Sequence, residues 1–154
     1  MTSPSPDSCP RCFKAQDLCV CSLVRELRTK LQILILQHPQ EPDKDLGSAQ
    51  IAHLALPQST LKIGLSWPTL RAALGRDGDV QASRWGVLYL GSGVKTEDRG
   101  PPPTSASKAP TLQWVTRKGA PVSEAEAAKI SRELEGIVVL DGTWSHAKAL
   151  WWRN

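Results

Sequence analysis

The fold is decided by the stretch IVVLDGTW at residues 137–144, where an apolar segment ends in an aspartate and a tight turn. Its four consecutive apolar residues predict a short strand that is buried on both faces, as in parallel sheets. Gly142 lets the backbone turn, and the hydroxyl of Thr143 can cap a helix that we predict from about Trp144 onward. The sequence therefore predicts a strand, a loop with reactive side chains, and a helix, in that order.

The same order of strand and loop is found in two more places. KLQILILQHP at residues 30–39 contains an apolar run that Pro39 ends, and RWGVLYLGSG at residues 84–93 runs into a glycine-containing turn. Shorter strands are predicted at 60–65 and 111–116, and helices at 48–56, 69–74 and from the capping box of Ser123 and Glu126 to Gly136. Strands that alternate with helices predict an α/β fold with a mostly parallel sheet flanked by helices.

The composition is typical of one globular domain. The chain has 154 residues, of which 40% are hydrophobic and 22% charged, and its net charge is +4. It contains neither an apolar run of membrane-spanning length nor a secretory signal, so we expect a cytoplasmic protein without membrane association. The mild positive charge suits an anionic partner, although proteins that bind no nucleic acid often carry one as well. Nothing in the sequence indicates an obligate protein partner.

All four cysteines lie in the pattern C-x2-C-x6-C-x-C, as Cys9, Cys12, Cys19 and Cys21. Four closely spaced thiolates can bind one tetrahedral Zn²⁺ in a closed, structural site. Two disulfides are the alternative, which a reducing compartment disfavours, and an isolated C-x-x-C redox pair is another, which lacks a thioredoxin-like context. Residues 9–24 are too poor in apolar side chains to fold alone, so we predict a zinc knuckle whose folding depends on the metal.

Two segments differ in composition from the rest of the chain. Residues 1–8 are rich in proline and serine and predict a disordered tail. Residues 95–110 contain several prolines and almost no apolar side chains, which predicts a flexible insertion at the surface. We therefore expect a tail at 1–8, the zinc knuckle at 9–24, and an α/β domain at 25–154 that carries the insertion.

Asp141 is the leading candidate for a catalytic residue. In open α/β sheets ligands bind outside the carboxyl ends of the strands, and Asp141 stands at such an end. Gly142 and Thr143 would bring the amides of a helix N-terminus next to it, and Trp144 offers a flat face for stacking on a base. The alternative is structural, with Asp141 as a helix-capping carboxylate and Trp144 as a core residue.

Two other predicted strand ends could contribute to the same site. His38 follows the first strand, together with Gln37, Pro39 and Glu41, and Ser92 and Gly93 follow another. These loops could meet along one edge of the sheet and bind a cofactor. The alternative for His38 is a hydrogen-bonded residue that fixes the turn, and for Ser92 and Gly93 a plain turn, which the weak G-S-G pattern favours. His53 lies inside a predicted helix and is read as structural or exposed. Basic side chains that could contact RNA phosphates, or simply face solvent, are Arg11, Lys14, Arg25, Arg28 and Lys30.

Three separated motifs together resemble the DTW-domain family. LDGTW followed by AKAL is similar to the D-x-T-W signature, LILQHPQEPDK to the family's H-P-x-E segment, and the cysteine pattern to its N-terminal cluster. The resemblance runs from about Cys9 to Asn154. It implies a tRNA-uridine aminocarboxypropyltransferase, which transfers the 3-amino-3-carboxypropyl group of S-adenosylmethionine to N3 of a uridine in tRNA. It also implies a fold related to the knotted SPOUT RNA methyltransferases.

The resemblance also assigns roles to residues. Asp141 would remove or orient the N3 proton, and Thr143 and Trp144 would shape the pocket for uridine or cofactor. The chain lacks the Tyr-Arg and Ser-Thr-x-Glu-Ala-like segments with which family members continue, and it ends soon after Trp151 and Trp152. We therefore expect the C-terminal part of the domain to be missing. The alternative function is a catalytically silent, zinc-containing RNA-binding module.

Overall fold

The computed structural model describes residues 8–42, 47–88 and 113–154. The chain divides into two compact units, one formed by Met1–Leu88 and Glu135–Asn154 and the other by Tyr89–Leu134. The predicted tail, except for Ser8, and the predicted insertion at 95–110 lie outside the described residues. Ser8 forms an isolated bridge with Ala15.

The first unit contains a four-stranded, all-parallel sheet in the order β2-β1-β4-β3. Its strands are β1 (Gln32–Gln37), β2 (Ser59–Ile63), β3 (Trp85–Leu88) and β4 (Gly136–Asp141), and its helices are α1 (Ala49–Ala55), α2 (Leu70–Leu74) and α4 (Trp144–Arg153). Helix α3 (Glu124–Glu133) belongs to the second unit. The predicted α/β fold with a parallel sheet and flanking helices is confirmed, whereas its relation to the knotted SPOUT fold stays a prediction.

The two central strands supply the core, as their uninterrupted apolar sequences predict. Leu34 and Leu36 of β1 and Val138 of β4 are buried and pack with Ala73 and Leu74 of α2. Gln37 is in register with Asp141, so the last residues of β1 and β4 lie side by side at the carboxyl edge of the sheet. This register brings together two loops that are about a hundred residues apart in the sequence.

The helix caps follow the sequence closely. Thr143 is the N-cap of α4, and its hydroxyl accepts a hydrogen bond from the backbone N–H of His146 at 3.4 Å. Ser123 caps α3 in the same way, through the N–H of Glu126. Gly75 ends α2 with φ of 65°, a left-handed conformation that glycine adopts without a steric cost. No helix in the described ranges is both long and apolar enough to cross a membrane.

The strand predicted at 111–116 is wrong over its described residues, 113–116. Within 113–116, only Val115 makes a β-type contact, an isolated antiparallel bridge to Pro121 across a turn. The backbone N–H of Thr116 bonds to the carbonyl of Ala120, and Gly119 has φ of 82° in the turn. The N–H of Val122 also bonds to the carbonyl of Trp114, so one hydrogen bond lies on either side of the Val115–Pro121 pair, and the pairing is a single bridge rather than a strand.

Gly136 was predicted to end a helix, but it is the first residue of β4. Helix α3 ends earlier, at Glu133. The glycine is buried because the indole of Trp85, on the neighbouring strand β3, lies against its Cα. A Cβ at this position would be 2.5 Å from Cη2 and Cζ3 of that indole. Glycine at position 136 is therefore explained by close packing between β3 and β4 and not by the end of a helix.

Gly136→Ala should lower the free energy of unfolding by about 1–3 kcal/mol, because the added methyl group overpacks the Trp85 contact. Chemical denaturation measures the change. The control is a double-mutant cycle with Trp85→Ala. Once the indole is absent, Gly136→Ala should lower the free energy of unfolding much less than it does in the unsubstituted protein. An equal cost in both backgrounds would show that the indole does not set the requirement for glycine.

Candidate functional site

Asp141 lies at the carboxyl edge of the sheet and is held there by its neighbour on β1. The side-chain amide of Gln37 donates to Asp141 Oδ2 at 2.8 Å, and Gln37 is buried. The backbone N–H of His38 donates to the carbonyl of Asp141 at 3.0 Å, which continues the strand pairing into the loop. Thr143, and not Asp141, caps α4. The carboxylate is therefore positioned by a buried amide and is not used as the helix cap.

Glu41 connects the loop after β1 to the first turn of α4. Its Oε1 accepts hydrogen bonds from the backbone N–H of Thr143 at 3.1 Å and from Nδ1 of His146 at 2.9 Å. Glu41 is only 7% exposed, so hydrogen-bond donors must replace the water that the carboxylate loses on folding. The N–H of Glu41 bonds to the carbonyl of His38, which closes the tight turn around Pro39.

Two histidine rings are stacked beside this carboxylate. The ring centroids of His38 and His146 are 3.8 Å apart, and the planes differ by 6°. The turn glycine, Gly142, lies against both residues, since a Cβ there would be 2.7 Å from His146 Cβ and 3.5 Å from His38 Cβ. The absence of a side chain at Gly142 therefore permits the two histidines to come together.

The structure brings most of the candidate residues of the sequence analysis into one place. Asp141, Gly142, Thr143 and His38 surround the junction of β1, β4 and α4. Trp144 begins α4 and is 62% exposed, so the alternative that it is a core residue is wrong. Ser92 and Gly93 lie outside the described residues, and their part in the site stays a prediction.

Sequence reasoning missed His146 altogether. The contact with Glu41 spans 105 positions, and no local periodicity signals it. The one signal in the sequence was that His146 comes three positions after the N-cap Thr143, because a side chain at that position can reach back toward the start of the helix. His53 instead bonds to Ser59 through Nδ1 at 2.7 Å, away from this site, which agrees with its structural reading.

The four cysteines form a second cluster, in which all sulfur atoms lie within 4.8 Å of one another. Cys9 Sγ is 3.8 Å from Cys21 Sγ, and Cys12 Sγ is 3.9 Å from Cys19 Sγ. Disulfide sulfurs would be about 2.05 Å apart. Tetrahedral zinc with Zn–S bonds of about 2.3 Å places its sulfurs about 3.8 Å apart, so these residues could hold such an ion. Ile51 and Leu54 of α1 pack against the cluster.

The thiols of the cluster have different acidities in the metal-free state. Backbone N–H groups of Cys12 and Arg11 stabilise the thiolate of Cys9 and lower its pKa to about 6. Burial and the neighbouring Cys12 thiol raise the pKa of Cys21 to about 12. The backbone N–H of Cys21 lowers the pKa of Cys19, but contact with Cys9 and burial outweigh it, and the net shift is upward. Near neutral pH, Cys9 is thus an anion while Cys19 and Cys21 retain their protons.

The affinity for zinc should therefore rise with pH. Metal ligands must be thiolates, so protons compete with the ion. Cys9 stays ionised until the pH falls through about 6, whereas Cys19 and Cys21 must release protons when metal binds. Competition with a chromophoric chelator, repeated from mildly acidic to mildly alkaline pH, measures the slope. Cys21→Ser should make the slope shallower, and a pH-independent affinity would contradict the assignment.

The basic residues of the N-terminal region do not all face solvent. Lys14 is only 6% exposed, so the reading in which it lies on a solvated or RNA-binding face is wrong. Its backbone carbonyl accepts from the N–H of Cys9 within the cysteine cluster. Arg25, Arg28 and Lys30 are exposed, and Arg28 makes a long surface ion pair with Glu26, at 3.9 Å.

Comparison with known proteins assigns the chain to a family. A family model described as the DTW domain matches residues 6–154. The chain is also similar to tRNA-uridine aminocarboxypropyltransferase 2 of Macaca fascicularis, with 26% identity over 158 positions that cover 95% of this chain. It spans 41% of the length of that relative. No solved structure matches the chain significantly. Because the family model covers nearly the whole sequence, the chain belongs to the DTW-domain family.

Proposed function

We propose that the protein modifies tRNA as a tRNA-uridine aminocarboxypropyltransferase, with S-adenosylmethionine as the donor and N3 of uridine as the acceptor. Family membership and the name of the macaque relative support the reaction class. The observation that carries the proposal is the position of Asp141. Its carboxylate is held by Gln37 at the carboxyl edge of a parallel sheet, beside a helix N-terminus.

The reaction requires alignment and a proton acceptor. The N3 atom forms a bond to the side-chain carbon next to the sulfonium, the carbon–sulfur bond breaks, and sulfur keeps the electron pair as a neutral thioether. The N3 proton must leave for the nitrogen to be nucleophilic. Asp141 removes or orients that proton, and in-line positioning supplies much of the remaining acceleration.

The residues that follow Asp141 shape the pocket. Gly142 permits close approach at the turn, Thr143 orders the start of α4, and the exposed indole of Trp144 stacks on the uracil or on the adenine of the donor. The exposed side chains of Arg25, Arg28 and Lys30 contact tRNA phosphates. The four cysteines hold Zn²⁺ as a structural ion, which stabilises residues 9–24 against α1.

Transfer to unmodified tRNA tests the proposal directly. One sample receives S-adenosylmethionine labelled in the methionine carboxyl group, and a parallel sample receives donor labelled in the methyl group. Only the carboxyl label should enter the RNA, and nucleoside analysis should place it on uridine. Incorporation of the methyl label would indicate a methyltransferase instead. If neither label is transferred although the protein binds tRNA, the alternative of a silent RNA-binding module is correct.

A further inference from the structure

His146 is held in a geometry that fixes which ring nitrogen carries its proton. An ionised carboxylate only accepts hydrogen bonds, so the contact of 2.9 Å between Glu41 Oε1 and His146 Nδ1 requires a hydrogen on Nδ1. In the neutral ring, Nε2 is then the unprotonated nitrogen. No hydrogen bond to Nε2 is found in the described part of the chain. A buried carboxylate thus orients the ring and leaves one basic nitrogen available.

We infer that His146 is a further catalytic residue, whose Nε2 accepts the proton that leaves N3 of uridine, and that Glu41 is its positioning residue. The inference rests on the proposed function. A carboxylate that bonds to one imidazole nitrogen makes the other a better-placed base and stabilises the imidazolium that forms. Imidazole is also a stronger base than a carboxylate in water, which suits it better for removing an imide proton.

The groups around the imidazole ring of His146 have different roles. Glu41 faces Nδ1 of His146, and the ring of His38 covers one face of the His146 ring, with the two centroids 3.8 Å apart. Gly142, which follows Asp141, lies against Cβ of His146. The side chain of His146 is 24% exposed, so it is mostly shielded but still in contact with solvent. His38 and Glu41 restrict the ring to one orientation. Asp141 orients the N3–H group as a hydrogen-bond acceptor, while His146 takes the proton.

The proton and electron balance closes with these groups. As the proton moves from N3 to the lone pair of His146 Nε2, the N3–H electron pair stays on N3. N3 forms its new bond to the donor carbon, and the pair of the broken C–S bond moves to sulfur. The cationic charge of the sulfonium is lost and appears on the imidazolium, next to the anionic Glu41. Release of that proton to solvent restores the neutral ring for the next turnover.

Two substitutions separate a catalytic role from a structural one. In His146→Asn the amide nitrogen lies near the position of Nδ1, so the bond to Glu41 can be kept while Nε2 is lost. In His146→Ala both are lost and space for a small molecule is created. Each should lower kcat by at least about 100-fold. Free imidazole should restore part of the activity of the alanine variant but not that of an Asp141→Asn variant.

His53→Ala is the matched control, because it removes another of the three histidines without touching the site, and it should retain normal turnover. Activity of His146→Asn close to that of the unsubstituted chain would overturn the inference, as would failure of imidazole to rescue a folded His146→Ala protein. If the unsubstituted chain transfers nothing, the proposed function itself fails.

The tautomer can be measured without RNA or donor. Nitrogen-15 NMR of the histidine rings should show His146 protonated at Nδ1 and unprotonated at Nε2 at mildly alkaline pH. Glu41→Gln should weaken this preference, since an amide can present a donor to Nδ1 in place of an acceptor. A ring protonated at Nε2 in the unsubstituted protein would refute the inference, whatever the activity assays give.

Discussion

Asp141→Asn should lower the rate of transfer by about 100- to 10,000-fold. This is the range of rate lost when a side chain that removes or orients a proton in the transition state is replaced. Asparagine has nearly the same size, and its carbonyl oxygen can still accept from Gln37, so the loop should keep its shape. The change therefore removes the negative charge and little else. Single-turnover measurement with saturating donor separates this loss from any change in product release.

Binding of tRNA should remain close to normal in the same variant, because the proposed contacts with tRNA phosphates come from Arg25, Arg28 and Lys30. Asp77→Asn is the matched control. It removes an identical carboxylate from an exposed position away from the site, and its rate should equal that of the unsubstituted chain. Turnover retained by Asp141→Asn would exclude this residue from the mechanism.

Removal of the metal should unfold residues 9–24. The cluster consists of three buried cysteines and few other apolar groups, so the segment has no core of its own. Structural zinc contributes roughly 10–16 kcal/mol of apparent binding free energy in small zinc domains, and that energy drives their folding. After chelation, the amides of Cys9 and Phe13, which bond to the carbonyls of Lys14 and Cys9, should exchange rapidly with solvent.

Cys12→Ala should have the same effect without a chelator, because Cys12 is 1% exposed and is one of the four proposed zinc ligands. Elemental analysis should find about one zinc per unsubstituted chain and little in the variant. Ser22→Ala, next to Cys21 but exposed, is the control and should retain the metal. Amides that stay protected after complete removal of zinc would contradict a structural role for the ion.

The sequence predicted those parts of the fold that depend on local patterns. The apolar runs of β1 and β4 indicated strands inside a parallel sheet, and Thr143 and Ser123 marked the starts of α4 and α3. Each of these signals lies within a few residues, because burial and capping act on one element at a time. The position of Asp141 at a strand end was predictable for the same reason.

Contacts between distant segments were not predictable in this way. The bond between Gln37 and Asp141 and the bond between Glu41 and His146 each depend on the register of β1 with β4. Gly136 was misread because a glycine next to an indole and a glycine that ends a helix look identical in one sequence. In each case the deciding neighbour is set by tertiary packing.

Helix α4 is anchored at both ends. At its start the N–H of Thr143 bonds to Glu41, and at its finish the side chain of Asn154 accepts from the N–H of Trp67 and donates to the carbonyl of Leu65. Ten helical residues span about 15 Å, and the middle is fixed by Leu150, which is fully buried. The helix therefore ties the loop that follows Asp141 to the loop after β2, so a change at Leu65 or Trp67 can reach the carboxyl edge of the sheet only through α4 as a whole.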